Sequence, residues 1–443
     1  MHAKVLLRKI APTPVVRWYH QFRARTAAIQ AGLPARKLMV IGVTGTKGKS
    51  TTVAMLSHCF TALGERVAFS STVQWGLLGK TWPNRSKMTT PGLGELQAFL
   101  NRAVQAGCTM AILEISSEGL AQGRHLGITF DGAVFLNLTP EHIESHGSFR
   151  NYRAAKEKLF GSLNRPWRKS FNGKKIPTVI VANVDDANAF SFLRHAADIH
   201  VGFTTRPNDV KEVPGLVIDR TRNVVSTAST STFHFNDEVV HLPLLGAFNV
   251  ENASATLSTV KAFDYDVAVA AKALEKFPGV PGRMEEVKLD APFRVFVDYS
   301  HEPASLQAAY AAVQLLHPKH FLTLLGAQGG GRDHAKRSVM GTLAAEHADV
   351  VVISNEDPYD EDPQKIVDDV ALAAEQIEKA KVFRIVDRCE GLQKLLQLAQ
   401  PGDVVLVTGK GGEEVMAVAK GQLIPWDDRV VIREVWQSLS KSS

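Results

Sequence analysis

From Leu38 onward the chain alternates short, wholly apolar runs with longer stretches of helical periodicity. LMVIGVTG (38–45) reads as a buried strand running into a glycine-rich turn, with a helix from Ser50 to about Leu63 behind it. MAILEIS (110–116), GAVFLNL (132–138) and TVIVANV (178–184) repeat the strand pattern, and GELQAFLNRAVQAG (94–107) is one of the helices between them. Such alternation predicts a mostly parallel α/β sheet. Residues 203–243 are rich in Thr, Ser and Val with period-two stretches, which predicts antiparallel hairpins; a helix follows from Asn249 to Phe263. FPGVPGRMEEV (277–287) reads as a linker, and beyond it FRVFVDYS, HFLTLLGA, ADVVVISN and DVVLVTGK predict a second, Rossmann-like α/β domain. Ahead of both, Val15, Trp18, Phe22 and Ile29 recur at helix-like spacing with arginines between them, so a helix is expected to about Ala31, ended by Gly32-Leu33-Pro34. Three parts result: an arm over 1–37, a first domain over 38–278 and a second over 279–443.

Composition narrows the class. At 45% hydrophobic and 22% charged residues, the profile is that of a globular protein. No apolar run approaches the roughly 20 residues of a membrane span, and no signal-peptide core is present. Cys59, Cys108 and Cys389 are far apart without metal-ligand spacing, which suits a reducing, cytoplasmic setting. The net charge of +6 is uneven: residues 1–37 hold eight basic and no acidic side chains, so the rest is net acidic. A nucleic-acid-binding body is therefore not expected. The arm either packs on the first domain or rests as a basic amphipathic helix on an anionic membrane.

GVTGTKGKSTT (42–52) carries the chemistry. It follows a strand and opens a helix, the context of a phosphate-binding loop. Gly45, Thr46, Lys47 and Gly48 form a turn whose amides can face phosphate oxygens, Lys49 can reach terminal phosphates, and Ser50 or Thr51 can offer a hydroxyl to magnesium. Glu114, ending one strand, and His142, following the next, are candidate magnesium ligands at the edge where open α/β sheets bind ligands.

The loop GTKGKSTT resembles that of the Mur ligases and their relatives, the folylpolyglutamate and cyanophycin synthetases. Further stretches agree in order: Thr89-Thr90-Pro91, EISSEGL (114–120), NLTPEHIESHG (137–147), YRAAKEKLF (152–160), GAFNVENA (246–253), PGRMEEV (281–287), VDYSHEPASL (297–306), GGGRDHAKR (329–337) and GKGGEE (409–414). DYSHEP, GGGRDHAKR and the closing LIPWDDRVVIREV are most similar to the MurE family, the UDP-N-acetylmuramyl-tripeptide synthetases. The resemblance implies a P-loop central ATPase domain, a C-terminal Mur ligase domain and an ATP-dependent amide ligase of cell-wall biogenesis. In it a carboxylate of a muramyl-peptide precursor becomes an acyl phosphate that an amino acid's amine captures, with closure of the second domain excluding water. It implies ATP with two magnesium ions held by Ser50, Glu114, His142 and a carbamylated Lys156. Asn249, Asn252, Arg283, Asp298 and His301 would contact adenosine or orient the second domain. Thr89, Thr90, Ser116 and Arg124 would face the precursor, and Arg332 and Glu413 the incoming amino acid. Small-molecule substrates and a monomer are expected.

The sequence departs from the MurE pattern in three places. About 37 residues precede the first strand, where MurE proteins carry a uridine-nucleotide-binding domain of roughly a hundred. Tyr359 stands where many carry the arginine that pairs with a distal carboxylate, and Glu356, Asp357, Asp360 and Glu361 make that turn acidic, which suits an amino acid with a cationic side chain. Glu118 and Gly412 stand where histidines are frequent. A Mur-type ligase acting on a folate, a poly-amino acid or another wall polymer is the alternative enzyme, and a non-catalytic ATP-binding regulator the alternative of another class.

Overall fold

A computed structural model describes residues 26, 28–86, 88–140, 146–171, 173–208, 215–227, 229–331 and 334–442. The predicted helix over 15–31 lies mostly outside these; Thr26 and Ala28–Gln30 are helical, and Ala28, Ala35 and Leu38 are buried. The chain divides into two compact units, one of residues up to Val224 with Thr232–Leu242 and Asn249–Phe277, the other of Val225–Ser231, Pro243–Phe248 and Pro278–Ser443.

The first unit is built on strands β1 (Met39–Thr44), β2 (Val67–Ser70), β3 (Gln74–Leu77), β4 (Lys80–Pro83), β5 (Met110–Glu114) and β6 (Gly132–Phe135), then a separate hairpin of β7 (Ser170–Phe171) and β8 (Lys174–Lys175). It continues with β9 (Val179–Asn183), β10 (Ile199–Thr204), β11 (Val217–Ser226), β12 (Ser231–Phe235) and β13 (Glu238–Leu242). The large sheet has the order β13-β12-β11-β10-β9-β6-β1-β5-β2-β3-β4. Every residue of β1 is buried, as are those of β5, β6 and β9, because helices cover both faces of a parallel sheet. β1 pairs in parallel with β5 on one side and β6 on the other, so the chain reverses its direction of advance at β1. A crevice at the carboxyl ends of strands is expected at such a point. β11 runs parallel to β10, while β11, β12 and β13 follow one another in the sheet through turns that only antiparallel hairpins allow, as the residue pattern of 203–243 suggested.

The second unit carries a six-stranded sheet, β14 (Glu285–Glu286), β15 (Arg294–Asp298), β16 (Phe321–Leu325), β17 (Val350–Ile353), β18 (Lys381–Arg384) and β19 (Val404–Thr408), ordered β14-β15-β19-β16-β17-β18. All pairings but β14 with β15 are parallel. Two clusters of buried apolar side chains, around Tyr310, Met340 and Ile353 and around Val297, Leu395 and Ile432, lie on this sheet.

Candidate active site

The phosphate loop leaves the carboxyl end of β1. Gly48 caps the helix Lys49–Ala62 with φ +80°, and a Cβ there would strike Asn252 Oδ1 as well as strain the backbone, so only glycine fits. Thr52 N bonds Gly48 O at 2.9 Å, so the helix starts directly behind the loop and its N-terminus presents the amides and positive potential that suit an anion. Not every loop amide faces a ligand. Thr46 N and Lys47 N donate to Asn137 Oδ1 at 3.1 and 2.8 Å, which ties the loop to the end of β6. Lys49 Nζ donates to Thr46 O at 2.7 Å, curling over the loop, and Thr51 is buried beneath it.

Glu114 is 2% exposed and receives hydrogen bonds from Ser50 Oγ at 2.7 Å, Thr72 N at 2.8 Å and Thr72 Oγ1 at 2.9 Å. A hydroxyl and a carboxylate oxygen side by side are hard donors of the kind magnesium takes together with nucleotide phosphates, so Ser50 and Glu114 fit that ion. His142 lies outside the described residues. His146 is described: its Nε2 is 3.1 Å from Ser117 Oγ, and burial, reinforced by the Lys156 charge, holds it below the ordinary imidazole value.

Lys156 is no surface lysine. It is 2% exposed on the helix Phe149–Gly161, donates to Gly45 O at 2.8 Å and lies 4.7 Å from the centre of the Tyr152 ring. Ser148 caps that helix by accepting from Asn151 N, and Tyr152 Oη is 3.1 Å from Thr46 Oγ1. The helix therefore brings a lysine and a tyrosine under the loop.

The side chains expected to face the acceptor also gather. Thr90 Oγ1 accepts from Ser116 N at 2.9 Å and is 3.1 Å from Ser116 Oγ; Arg124 Nη1 donates to Thr90 O at 2.6 Å; Thr89 and Thr72 hydroxyls are 2.9 Å apart. Asn249 and Asn252 are buried, and Asn252 supports the loop from below, within 3.3 Å of both Thr52 Oγ1 and Asn249 Oδ1. Thr72, Asn137 and Tyr152 were missed by residue-level reasoning. Asn137 and Tyr152 sit within motifs that were legible, whereas Thr72 follows a strand whose pattern was not.

In the second unit, Asp298 ends β15 and accepts from Met284 N and Ser300 N at 2.8 Å each. Arg283 lies 4.5 Å from the Tyr299 ring centre, and His301 packs edge-on against the same ring while bonding Tyr299 O at 2.7 Å. Lys410, fully buried, donates to Asp357 Oδ1 at 2.8 Å and Glu413 Oε2 at 2.7 Å. Arg332 lies outside the described residues. Tyr359 takes a left-handed backbone (φ +52°), held by its N–H to Ala417 O at 3.2 Å.

The acidic turn is not the uniform field its residues suggest. Glu361 is bound to Arg337 at 2.7 Å, Asp360 accepts from Lys420 N at 2.7 Å, and Asp357 is engaged by Lys410 and Ala417 N. Glu356 alone of the four has two buried oxygens without hydrogen-bond partners. It is 0% exposed against Gly326 and Gly409, and burial, with Asp357 beside it, pushes its carboxyl up to about 7 despite Lys410, Arg388 and Lys336.

A strand–loop–helix phosphate cradle, a hydroxyl–carboxylate pair at the adjacent strand end and a buried lysine under the loop define the class: a nucleotide-binding α/β enzyme with a place for magnesium. Residues 43–260 match the Mur ligase middle domain and residues 282–411 the Mur ligase glutamate ligase domain. The UDP-N-acetylmuramoyl-L-alanyl-D-glutamate–2,6-diaminopimelate ligase of Prochlorococcus marinus is 33% identical over 424 residues, 92% of this chain and 79% of that one. The UDP-N-acetylmuramyl-tripeptide synthetase of Roseiflexus is likewise 33% identical, over 94% of this chain and 82% of that one. A solved structure of a diaminopimelate ligase of the same name superposes with a TM-score of 0.60 at 29% identity, covering 91% and 79% of the two chains. A Mycobacterium tuberculosis folylpolyglutamate synthase, at TM-score 0.68 and 17% identity over 88% and 92%, shares the fold. The chain belongs to the Mur ligase family, on its MurE side. No helix among the described residues is long and apolar enough to cross a membrane.

Proposed function

We propose that this ligase joins an amino acid to a carboxylate of a UDP-N-acetylmuramyl-peptide, working as a monomer in the cytoplasm, where ATP is available. The observation that carries it is the pairing of Ser50 with Glu114 beside Lys49 at the end of β1. When bound, ATP supplies the phosphoryl group that makes the acceptor carboxylate electrophilic, and magnesium screens its charge. Gly48 and the helix behind it cradle the phosphates, with Gly45, Thr46 and Lys47 shaping the loop. Lys49 would neutralise negative charge on the transferring phosphoryl group, and Ser50 and Glu114, joined by their hydrogen bond, would hold a first magnesium. Lys156 fits the role of a carbamylated ligand for a second. It is buried at the loop's floor, and a carbamate would replace an ammonium by a hard anionic oxygen donor. His142 is assigned the remaining metal contact by family likeness. Thr89, Thr90, Ser116 and Arg124 supply hydroxyls and a guanidinium for the acceptor, and Asn249, Asn252, Arg283, Asp298 and His301 serve the nucleotide and the placement of the second unit.

We assign the incoming amino acid a cationic side chain. Tyr359 offers no positive charge to a distal carboxylate, and Glu356 is a carboxyl without a partner that an ammonium would ionise and satisfy. Asp357 and Glu413 belong to the same site, and Arg332 is assigned to the incoming amino acid by family likeness alone. The test is release of phosphate with a uridine-linked muramyl dipeptide and a panel of amino acids, the product read by mass. Release that depends on lysine or ornithine, and that Lys49→Ala abolishes, is expected. Release with no amino acid, or full activity of Lys49→Ala, would overturn the assignment; release only with a folate acceptor would move it to another branch of the family.

A further inference from the structure

The first unit carries a basic and aromatic surface that the ligase chemistry does not use. We propose that this surface, centred on Trp167, docks the enzyme on an anionic phospholipid membrane.

Trp167 is 42% exposed, and two guanidinium groups lie over its ring: Arg36 at 5.4 Å and Arg165 at 5.0 Å from the centroid. The stretch NRPWRKSFNGKKI (164–176) contains no acidic residue. Lys169 Nζ reaches back to Leu38 O at 2.7 Å, and Ile176 N bonds Lys169 O at 2.9 Å, so the β7–β8 hairpin and the Pro34–Lys37 turn meet at one place. Arg36, Lys37, Arg165, Arg168, Lys169, Lys174 and Lys175 lie on these two segments. Among the described residues, the carboxylates that answer them are Asp131, enclosed by Arg165 and Lys169, Asp198 on Arg168, and Asp264, 3.3 Å from Lys174 in an exposed pair, which leaves four positive charges over. Arg36, Lys37 and Lys175 are exposed. The sequence leading into this patch, residues 1–25, adds six basic residues and no acid.

Position favours a docking role. The patch hangs from the amino end of β1 through Leu38, while the phosphate loop leaves its carboxyl end. The six residues of β1 separate them by roughly 20 Å, so a flat surface at the patch leaves the loop open. Chemistry favours a bilayer over nucleic acid. A base stacking on the indole would compete with the two guanidiniums already over its ring, whereas an exposed Trp flanked by Arg and Lys matches the interfacial zone of an anionic membrane. The proposal stands apart from the ligase assignment, because activity on a soluble precursor tests one and vesicle binding the other.

The experiment is cosedimentation of the full chain with vesicles of phosphatidylcholine alone and of phosphatidylcholine with about one third phosphatidylglycerol, at several salt concentrations. Binding to the anionic vesicles only, weakening steeply with salt, is expected. Each basic residue is worth about fivefold in partitioning, so the triple variant R36E, K37E and K175E should bind more than about 100-fold more weakly, and Trp167→Ala several-fold more weakly. Turnover of the soluble precursor should be unchanged in both, which also shows that they fold. Should a variant melt early, the salt series and the two lipid compositions decide with the unaltered protein. Equal binding to both vesicles, no binding, or loss on deleting residues 1–25 with none in the triple variant would overturn the proposal. Tighter patch-dependent binding to duplex DNA would reassign the surface to nucleic acid and overturn it likewise.

Discussion

Two residues decide how the site handles charge, and their legibility differed. Lys156 was recognisable only through the motif around it, since a lysine on a helix is ordinarily solvated; its burial and its bond to Gly45 O come from packing against residues 111 positions away. Removing it should cost the second metal its proposed anionic oxygen. Lys156→Ala is expected to slow phosphate release by at least about 100-fold, and formate or acetate in solution should restore part of it. Wild-type activity, or a slow enzyme that no carboxylate rescues, would remove the carbamate. Glu356 shows the converse: the sequence displays four acids in one turn and cannot say that three are already answered by Arg337, Lys420 N–H and Lys410. Its folded carboxyl is raised from 4.5 to about 7. Between those values the unfolded chain has released the proton and the native protein still holds it, so stability falls as pH rises through that window. It does not recover above about 7, where both states are ionised. Glu356→Gln, neutral at all pH, should remove a loss of order 1–3 kcal/mol between about pH 5 and 7.5, seen as wild-type and variant urea midpoints that diverge with pH. Parallel midpoints would show the carboxyl to be ionised throughout.

At the scale of elements, strands buried on both faces were the most legible, because a parallel sheet covered by helices needs uninterrupted apolar runs. β1, β5, β6 and β9 fall within the runs that predicted them, and the helix Lys49–Ala62 differs from its expected start by one residue. The edge strand β4 and its neighbour β3 escaped: KTWP and QWGL are four residues each, with a proline or glycine in each, and half of β4 is exposed. Such strands are held by pairing, β3 to β2 and β4 to β3, rather than by their own pattern. This mattered for the site, since the turn between β2 and β3 delivers Thr72 to Glu114. The hairpins of β11, β12 and β13 were legible in the period-two pattern of 203–243, but that alternation does not encode the parallel register of β11 with β10. The loop itself is tied down from outside by Asn137 and Asn252, which predicts how it fails. Gly48→Ala must place a Cβ at φ +80° against Asn252, a strain of roughly 1–3 kcal/mol. Phosphate release should drop more than about tenfold while circular dichroism stays native. An alanine variant of unchanged activity would show that the loop's left-handed glycine is not what aims the phosphate amides.

Across the whole molecule the informative feature is that each unit has its own sheet and its own buried apolar clusters. Length and the Pro- and Gly-rich 277–287 stretch anticipated two α/β bodies. The small exchange of Val225–Ser231 and Pro243–Phe248 into the second unit left no mark in the sequence, because it depends on contacts far along the chain. Bodies with separate cores unfold as separate cooperative steps unless their interface couples them strongly, so calorimetry should resolve two transitions. Ligand linkage then assigns them. A nucleotide that binds only the native phosphate loop stabilises the body containing it by RT ln(1 + [L]/Kd), about 2.7 kcal/mol at a hundredfold excess over Kd, which is roughly 5–11 °C for a body of this size. Magnesium with ADP should therefore raise one transition by roughly that much and the other less. Lys49→Ala, lacking the ammonium at the loop, should show the same two transitions without the shift. A single transition that moves as one would mean that the nucleotide couples both bodies, and a shift that survives Lys49→Ala would put the nucleotide somewhere other than the loop after β1.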